Sequence, residues 1–205
     1  MPKVATDTRT NILLVTLQLF LEKGYKNVSY LDLVKKTGLS KGAIYHYFES
    51  KEALLIAVFE FMGEVAKEPA NTVPRNIVKD QESFMKLFID SKTDQIASFK
   101  KLMGDKPLKL NKLLFFFEAI SENEKLKQIL KELSKYELDT LEDYFIGLKM
   151  NNALPGGKDT RLLAESLYWM LQGGEMNVFF MQDDDWEKEV FHMYHKTISD
   201  FFKII

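Results

Sequence analysis

Three serines, Ser29, Ser40 and Ser50, each stand directly ahead of a stretch with helical apolar spacing, and Gly38 falls between the first two. A serine hydroxyl at that position accepts from an amide of the first helical turn that has no partner inside the helix, so the pattern marks three helix starts in close succession. The expected helices run from Asp7 to Lys23, Tyr30 to Thr37 and Lys41 to Tyr47, with a longer one from Lys51. Glu52 carries the sign that suits a helix start, while Ala53 sits where a full capping box has Glu or Gln. Helices of seven or eight residues do not persist alone, so these must share a core. Leu13, Leu17, Phe20, Leu33, Leu39, Ile44, Phe48 and Leu54 are placed to close one without the rest of the chain.

Beyond Lys51 the apolar residues keep helical spacing, and period-2 runs are missing, so the fold class is all-α. Gly, Pro, Asn and Asp punctuation at 67–74, 104–107, 151–159 and 182–186 divides the remainder into expected helices over 78–103, 108–120, 123–149, 159–182 and 186 to the end. That makes about nine helices in two domains, 1–50 (arm 1–7, linking helix from 51) and 51–205.

Composition narrows the chemistry. With 46% hydrophobic residues a buried core is available, and no apolar run approaches the roughly 20 residues that span a bilayer. The start "MPKVATDTRT" lacks the apolar block of a secretion signal, so the expected compartment is the cytoplasm, with no membrane partner. The absence of cysteine excludes disulfides, thiolate metal sites and Cys nucleophiles. Residues 1–51 hold eight Lys/Arg against four Asp/Glu, and the remainder holds 20 against 26. A basic first quarter on an acidic body suggests a polyanionic partner for the first domain.

"LDLVKKTGLSKGAIYHYF" has the plan of a helix-turn-helix, whose second helix enters the DNA major groove. Gly38 serves the turn. Ile44 and Phe48, four residues apart, face the core, which leaves Lys41, Gly42, Tyr45 and His46 outward. Lys41 supplies charge, Gly42 close approach, and Tyr45 and His46 hydrogen bonds or packing against bases and sugars. Tyr47 and Lys51 flank the helix as phosphate contacts, and Ser29 and Tyr30 offer a second phosphate grip at a helix N-terminus. A Tyr-His-Tyr run standing alone is more often a packing surface. Turn glycine, cap serines, core spacing and basic charge together favour DNA.

Residues 9–55 resemble the DNA-binding domain of the tetracycline-repressor (TetR) family of transcriptional regulators. The resemblance lies in "LFLEKGYKNVS", in "LDLVKKTGLSKGAIYHYFESKEALL" and in the Lys51 helix start. It implies an N-terminal three-helix DNA-binding domain, a C-terminal effector-binding and dimerisation domain, a homodimer, and repression relieved by a small molecule. It also implies operator contacts at Ser29, Tyr30, Lys41, Gly42, Tyr45, His46, Tyr47 and Lys51. Val28 stands where the family often has Thr, and Leu31 where it often has a charged residue.

In the family layout the last two helices pair with their copies in a second subunit, which suggests Tyr168, Gly173, Phe180, Phe191, Tyr194 and Ile198 for the dimer interface. The stripe Val190, Phe191, Tyr194, Ile198, Phe201 and Phe202 suits a partner helix. Gly173-Gly174 costs about 1 kcal/mol per Gly in a helix unless close helix approach or a kink recovers it. An effector pocket for an apolar or aromatic ligand is expected among Phe115, Phe116, Phe117, Trp169, Met170 and Met176. His192 and His195 lie near Glu189, but without a third ligand a place at the dimer interface is the better reading, and neither metal nor cofactor is expected. The "DDD" run at 183–185 is expected to start the last helix. An enzyme would need converging acid, base or nucleophile groups, which three His, no Cys and unclustered carboxylates do not supply, so none is expected. The alternative is a helical protein-interaction module without specific DNA binding.

Overall fold

The computed structural model describes residues 7–67, 77–103, 121, 123–181 and 185–205. Among them are eight helices and no strand: α1 Thr8–Lys23, α2 Tyr30–Thr37, α3 Lys41–Tyr47, α4 Lys51–Lys67, α5 Gln81–Met103, α6 Glu124–Met150, α7 Thr160–Met181 and α8 Trp186–Ile204. The helix expected over 108–120 lies outside the described residues, as do Phe115, Phe116 and Phe117. No helix of the described residues is long and apolar enough to cross a membrane.

The first four helices begin on side-chain caps. Asp7 accepts from the Thr10 amide at 2.8 Å, Ser40 Oγ from Ala43 at 3.1 Å and Ser50 Oγ from Ala53 at 2.9 Å. At α2 the cap is reciprocal. The Asp32 amide donates to Ser29 Oγ at 3.3 Å, and the Ser29 amide donates to Asp32 Oδ2 at 2.9 Å. Gly38 ends α2 in the left-handed region, φ 72°, where its amide donates to the Val34 carbonyl at 3.0 Å.

The later boundaries differ from the expected ones for similar reasons. α5 starts at Gln81 rather than 78, because Asp80 Oδ1 accepts from the Ser83 amide while Ser83 Oγ accepts from the amides of Lys79 and Asp80. α6 closes with Asn152 left-handed at φ 55°, where the Ala153 amide donates to the Leu148 carbonyl at 2.8 Å and the Asn152 amide to Lys149. Asp183 and Asp184 lie outside the described residues, and Asp185 precedes α8 without a side-chain cap bond.

The chain divides into two compact units, Met1–Val65 with Phe99–Lys131 and Ala66–Ser98 with Glu132–Ile205. The division does not fall at residue 50, since α4, α5 and α6 each contribute residues to both units. In the first unit Ile12, Leu13, Leu17, Phe20, Leu33, Ile44, Phe48 and Leu54 are buried together, with Leu39 packed against them. Leu55, Val58 and Phe59 of α4 and Leu126 of α6 join the same cluster. The first three helices therefore do not close their core alone. In the second unit Phe84 is the hub of an aromatic cluster, with ring centroids 5.5 Å from Tyr144, 5.2 Å from Phe145 and 5.2 Å from Phe202.

α7 and α8 pack against each other, and of the two glycines only Gly174 serves that approach. A β-carbon there would lie 2.4 Å from Met193 Sδ, whereas Gly173 is exposed with nothing near. Gly38 is a position where the absence of a side chain matters for the backbone. A β-carbon would meet nothing within 4 Å, so the cost of replacing it is backbone strain alone. Gly38→Ala is expected to lower unfolding free energy by about 1 kcal/mol. Gly38→Asn should cost less, since Asn tolerates this conformation. Denaturant unfolding of the two variants checks the order.

Candidate nucleic-acid interface and effector cavity

α3 has two opposite faces. Ile44 (0% exposed) and Phe48 (4%), its last-turn neighbour, are sunk in the first unit's core, while Lys41, Gly42, Tyr45, His46 and Tyr47 are exposed. Four of the five outward residues carry polar groups. A β-carbon on Gly42 would meet only Ser40 Oγ, at 4.0 Å, so the protein itself does not require glycine there. Close approach from outside is the remaining use for it.

The outward residues form a stack. The Tyr30 ring lies against Tyr45 at 4.4 Å between centroids and 13° between planes, and Lys41 Nζ is 5.6 Å from the Tyr45 centroid. Tyr30 thus holds Tyr45 from below. Its hydroxyl is buried without a hydrogen-bond partner among the described residues, and burial first, then the Tyr45 phenol, pushes it up to about 12. The His46 and Tyr47 rings meet edge to face at 5.4 Å. Among the described residues, Leu31 is an exposed apolar side chain at the start of α2.

Two residues expected at a phosphate have polar groups engaged within the protein. Ser29 does not present a free hydroxyl and amide for a phosphate, because both donate to the Asp32 carboxylate, the hydroxyl at 2.6 Å and the amide at 2.9 Å. Lys51 Nζ is likewise engaged, donating to the Lys26 carbonyl at 3.1 Å and lying 4.6 Å from the Tyr25 ring centroid. It ties the start of α4 to the loop before α2. A residue that sequence reasoning passed over is Arg9, exposed at the start of α1 with its guanidinium 5.5 Å from the Phe48 ring centroid. Its place on the helix before an apolar run gave no motif to find it by.

The second unit contains a small, partly open cavity of about 40 Å³ between α5, α6 and α7, walled by Phe88, Lys92, Glu137, Tyr144, Tyr168 and Glu175 among others. That is room for about three waters, or for one polar head group. The expected pocket residues on α7 are not in it. Trp169 (68% exposed), Met170 and Met176 point outward, because the inward face of α7 is carried by Ala164, Leu167, Tyr168 and Leu171. Glu175 falls on that same inward face.

Of the expected dimer residues, Tyr168, Tyr194 and Ile198 are buried in their own protomer and so do not form an exposed interface, while Phe191 is partly buried against that core. The apolar stripe of α8 is spent on the same core. Gly173 and Phe180 (56% exposed) do face outward, together with Leu162, Trp169 and Met176. At 100° per residue these five share one stripe of α7. His192 and His195 are exposed on α8, and no three His or acidic side chains gather into a cation site among the described residues.

Lys92 lies on the Phe84–Phe88–Lys92 stripe of α5, a lysine at an apolar helical position, which was the available sequence signal for the cavity. Its Nζ is 3.4 Å from Glu137 Oε1 and 3.6 Å from Glu175 Oε1. Burial alone would lower its pKa, but Glu175 and then Glu137 outweigh burial and hold it above the usual lysine value. The Tyr194 hydroxyl donates to Glu175 Oε1 at 2.6 Å.

Residues 12–58 match the family described as bacterial regulatory proteins, tetR family. The repressor NemR of Escherichia coli is 41% identical over 54 residues, covering 26% of this chain and 27% of that protein. This chain aligns with less than a third of the length of curated relatives such as this one. In fold the likeness runs nearly end to end. A TetR transcription regulator from Haloarcula marismortui superposes with a TM-score of 0.73 at 17% identity, over 98% of this chain and 99% of that one. FadR of Bacillus subtilis, in complex with stearoyl-CoA, gives 0.63 at 21% identity over 93% and 96%.

The α2 cap offers a pH test. Hydrogen bonds from Lys23, then from the Ser29 hydroxyl and amide, hold the Asp32 carboxyl well below its ordinary 3.8. A carboxyl lowered in the folded state adds stability above its unfolded value, and this is lost as pH falls through the folded value. Wild type is expected to exceed Asp32→Asn in thermal stability at pH 7, and the gap should close only as pH drops below about 3.8. Paired melting curves from pH 7 to pH 2 measure it.

Proposed function

We propose that this chain, a member of the TetR family of transcriptional regulators, acts as a homodimeric repressor that leaves its operator when a small molecule enters the second unit. The observation that carries the DNA part is the division of α3, whose apolar side is locked in the core while Lys41, Gly42, Tyr45, His46 and Tyr47 remain outside. Lys41 and Tyr45 are the residues for direct contact with base edges and backbone, with Tyr30 beneath them as support. Arg9 is an added candidate for a phosphate. Lys51 positions the start of α4 through its bond to the Lys26 carbonyl. The NemR relative is named a repressor and the FadR structure holds an acyl-CoA, which supports repression and effector binding for this chain.

Dimerisation is assigned to the outward stripe of α7, Leu162, Trp169, Gly173, Met176 and Phe180, where a second copy would cover large apolar side chains otherwise left in water. Gly173, with open space around it, lets the partner's helix come close. Two such subunits would set two α3 helices on successive major-groove faces, about 34 to 36 Å apart. An effector that altered their separation by a few ångströms would unseat both.

Full-length protein is expected to bind a duplex from the promoter of its own gene, measured by fluorescence anisotropy, with affinity falling at least a thousandfold between about 50 and 200 mM salt. Lys41→Ala should weaken binding at least about tenfold and reduce the salt slope by about 2, one contact being lost from each subunit. Gly42→Ala should keep its melting temperature yet lose affinity. Binding indifferent to salt and to both substitutions would favour a protein partner instead. Trp169→Asp is expected to shift the particle in sedimentation equilibrium from a dimer toward the 23.9 kDa monomer.

A further inference from the structure

The cavity of the second unit is electrically unbalanced. One ammonium, Lys92, faces two carboxylates, Glu137 and Glu175, and these three are the charged side chains among the described residues lining it. The side chains of all three are partly buried, so the surplus negative charge is screened less than it would be on an open surface. Aromatic faces add to it. Lys92 Nζ sits 5.8 Å from the Phe88 centroid and 5.9 Å from that of Tyr194. The cavity is thus already built around an alkylammonium, the protein's own, and has charge to spare for another.

A second and independent observation points the same way. Tyr144, on the cavity wall and 4% exposed, has a buried hydroxyl with no hydrogen-bond partner among the described residues. Burial pushes this phenol up to about 12, so it stays protonated and its oxygen is available as an acceptor. A buried polar atom without a partner costs on the order of 1 to 3 kcal/mol, which a ligand donor would recover. An anion would meet net negative charge, and an apolar group would leave both the phenol and the surplus carboxylate desolvated.

We infer that this cavity takes the positively charged head of an organic ammonium compound, with Glu137 and Glu175 sharing the charge between the ligand and Lys92, and Tyr144 accepting one N–H. The small volume admits the head group, and the body of the ligand lies toward the open side. The inference rests on the effector reading above, and deepens it by fixing the ligand's charge.

Calorimetric titration of the full-length protein with benzylamine, benzyl alcohol and benzoate tests it, with DNA affinity followed in parallel. Benzylamine should bind at least about tenfold more tightly than the neutral and anionic probes. Glu137→Gln and Glu175→Gln should each lose most of that preference, and Tyr144→Phe should weaken benzylamine binding while keeping the preference for charge. Melting curves confirm that the variants fold, and because Glu175 also accepts from Tyr194, Glu137→Gln is the cleaner substitution. Equal or tighter binding of benzoate or benzyl alcohol, no binding of benzylamine, or unchanged benzylamine binding in both glutamine variants overturns the cation site. If benzoate binds and releases DNA, the effector reading stands and the cation assignment falls. If benzylamine binds through the carboxylates without changing DNA affinity, the cation site stands and the effector role falls.

Discussion

The seven-residue helix α3 exists because Ile44 and Phe48 are buried. A helix of two turns forms too few hydrogen bonds to offset the cost of its nucleation, so α3 has to be held by packing. Ile44 and Phe48 fix its rotation about its own axis, and the Ser40 cap fixes where it starts. Once the rotation is fixed, the residues left facing outward are determined as well. Tyr30, stacked under Tyr45, restrains the longest outward side chain of the middle of that face. Side chains held in this way lose less entropy when they bind.

The same economy governs α7. One face carries Ala164, Leu167, Tyr168, Leu171 and Glu175 into the core and the cavity, and the other carries Leu162, Trp169, Gly173, Met176 and Phe180 outward. A helix apolar on nearly all sides reads in sequence as simply buried. Here one of its faces is buried and the other is left exposed. The two glycines divide along the same line, Gly174 making room for Met193 of its own subunit and Gly173 standing open on the outer stripe.

The first three helices were legible in sequence because short-range chemistry writes them. Caps at Ser29, Ser40 and Ser50, the left-handed Gly38 and the Ile44–Phe48 spacing all act within a few residues of themselves. What sequence could not supply was the competition for polar groups across helices. The Ser29-x-x-Asp32 spacing did announce a capping box and was passed over, whereas nothing adjacent to Lys51 announces its bond to the Lys26 carbonyl, 25 positions away. The second unit was legible in its helices and not in their rotation. Trp169 and Tyr168 are neighbours and both aromatic, yet they lie 100° apart on α7, and only the position of α8 and α5 decides which one is core. The apolar stripe on α8 was expected to meet a helix of a second subunit, and it packs into the core of its own protomer instead. Lys92 was visible on an apolar stripe, but its significance depends on Glu137 and Glu175, which lie 45 and 83 positions along the chain.

The account turns on α3 presenting one fixed face to a major groove, twice, from two subunits. Selection of bound duplexes from a random DNA library with the full-length protein tests that most directly. The expected outcome is an inverted repeat whose half-site centres lie about one helical turn, or a whole multiple of it, apart. Joint replacement of Lys41, Tyr45 and His46 by Ala should abolish the enrichment while the protein remains folded. Enrichment of no sequence, or of the same sequence by the triple variant, would contradict it.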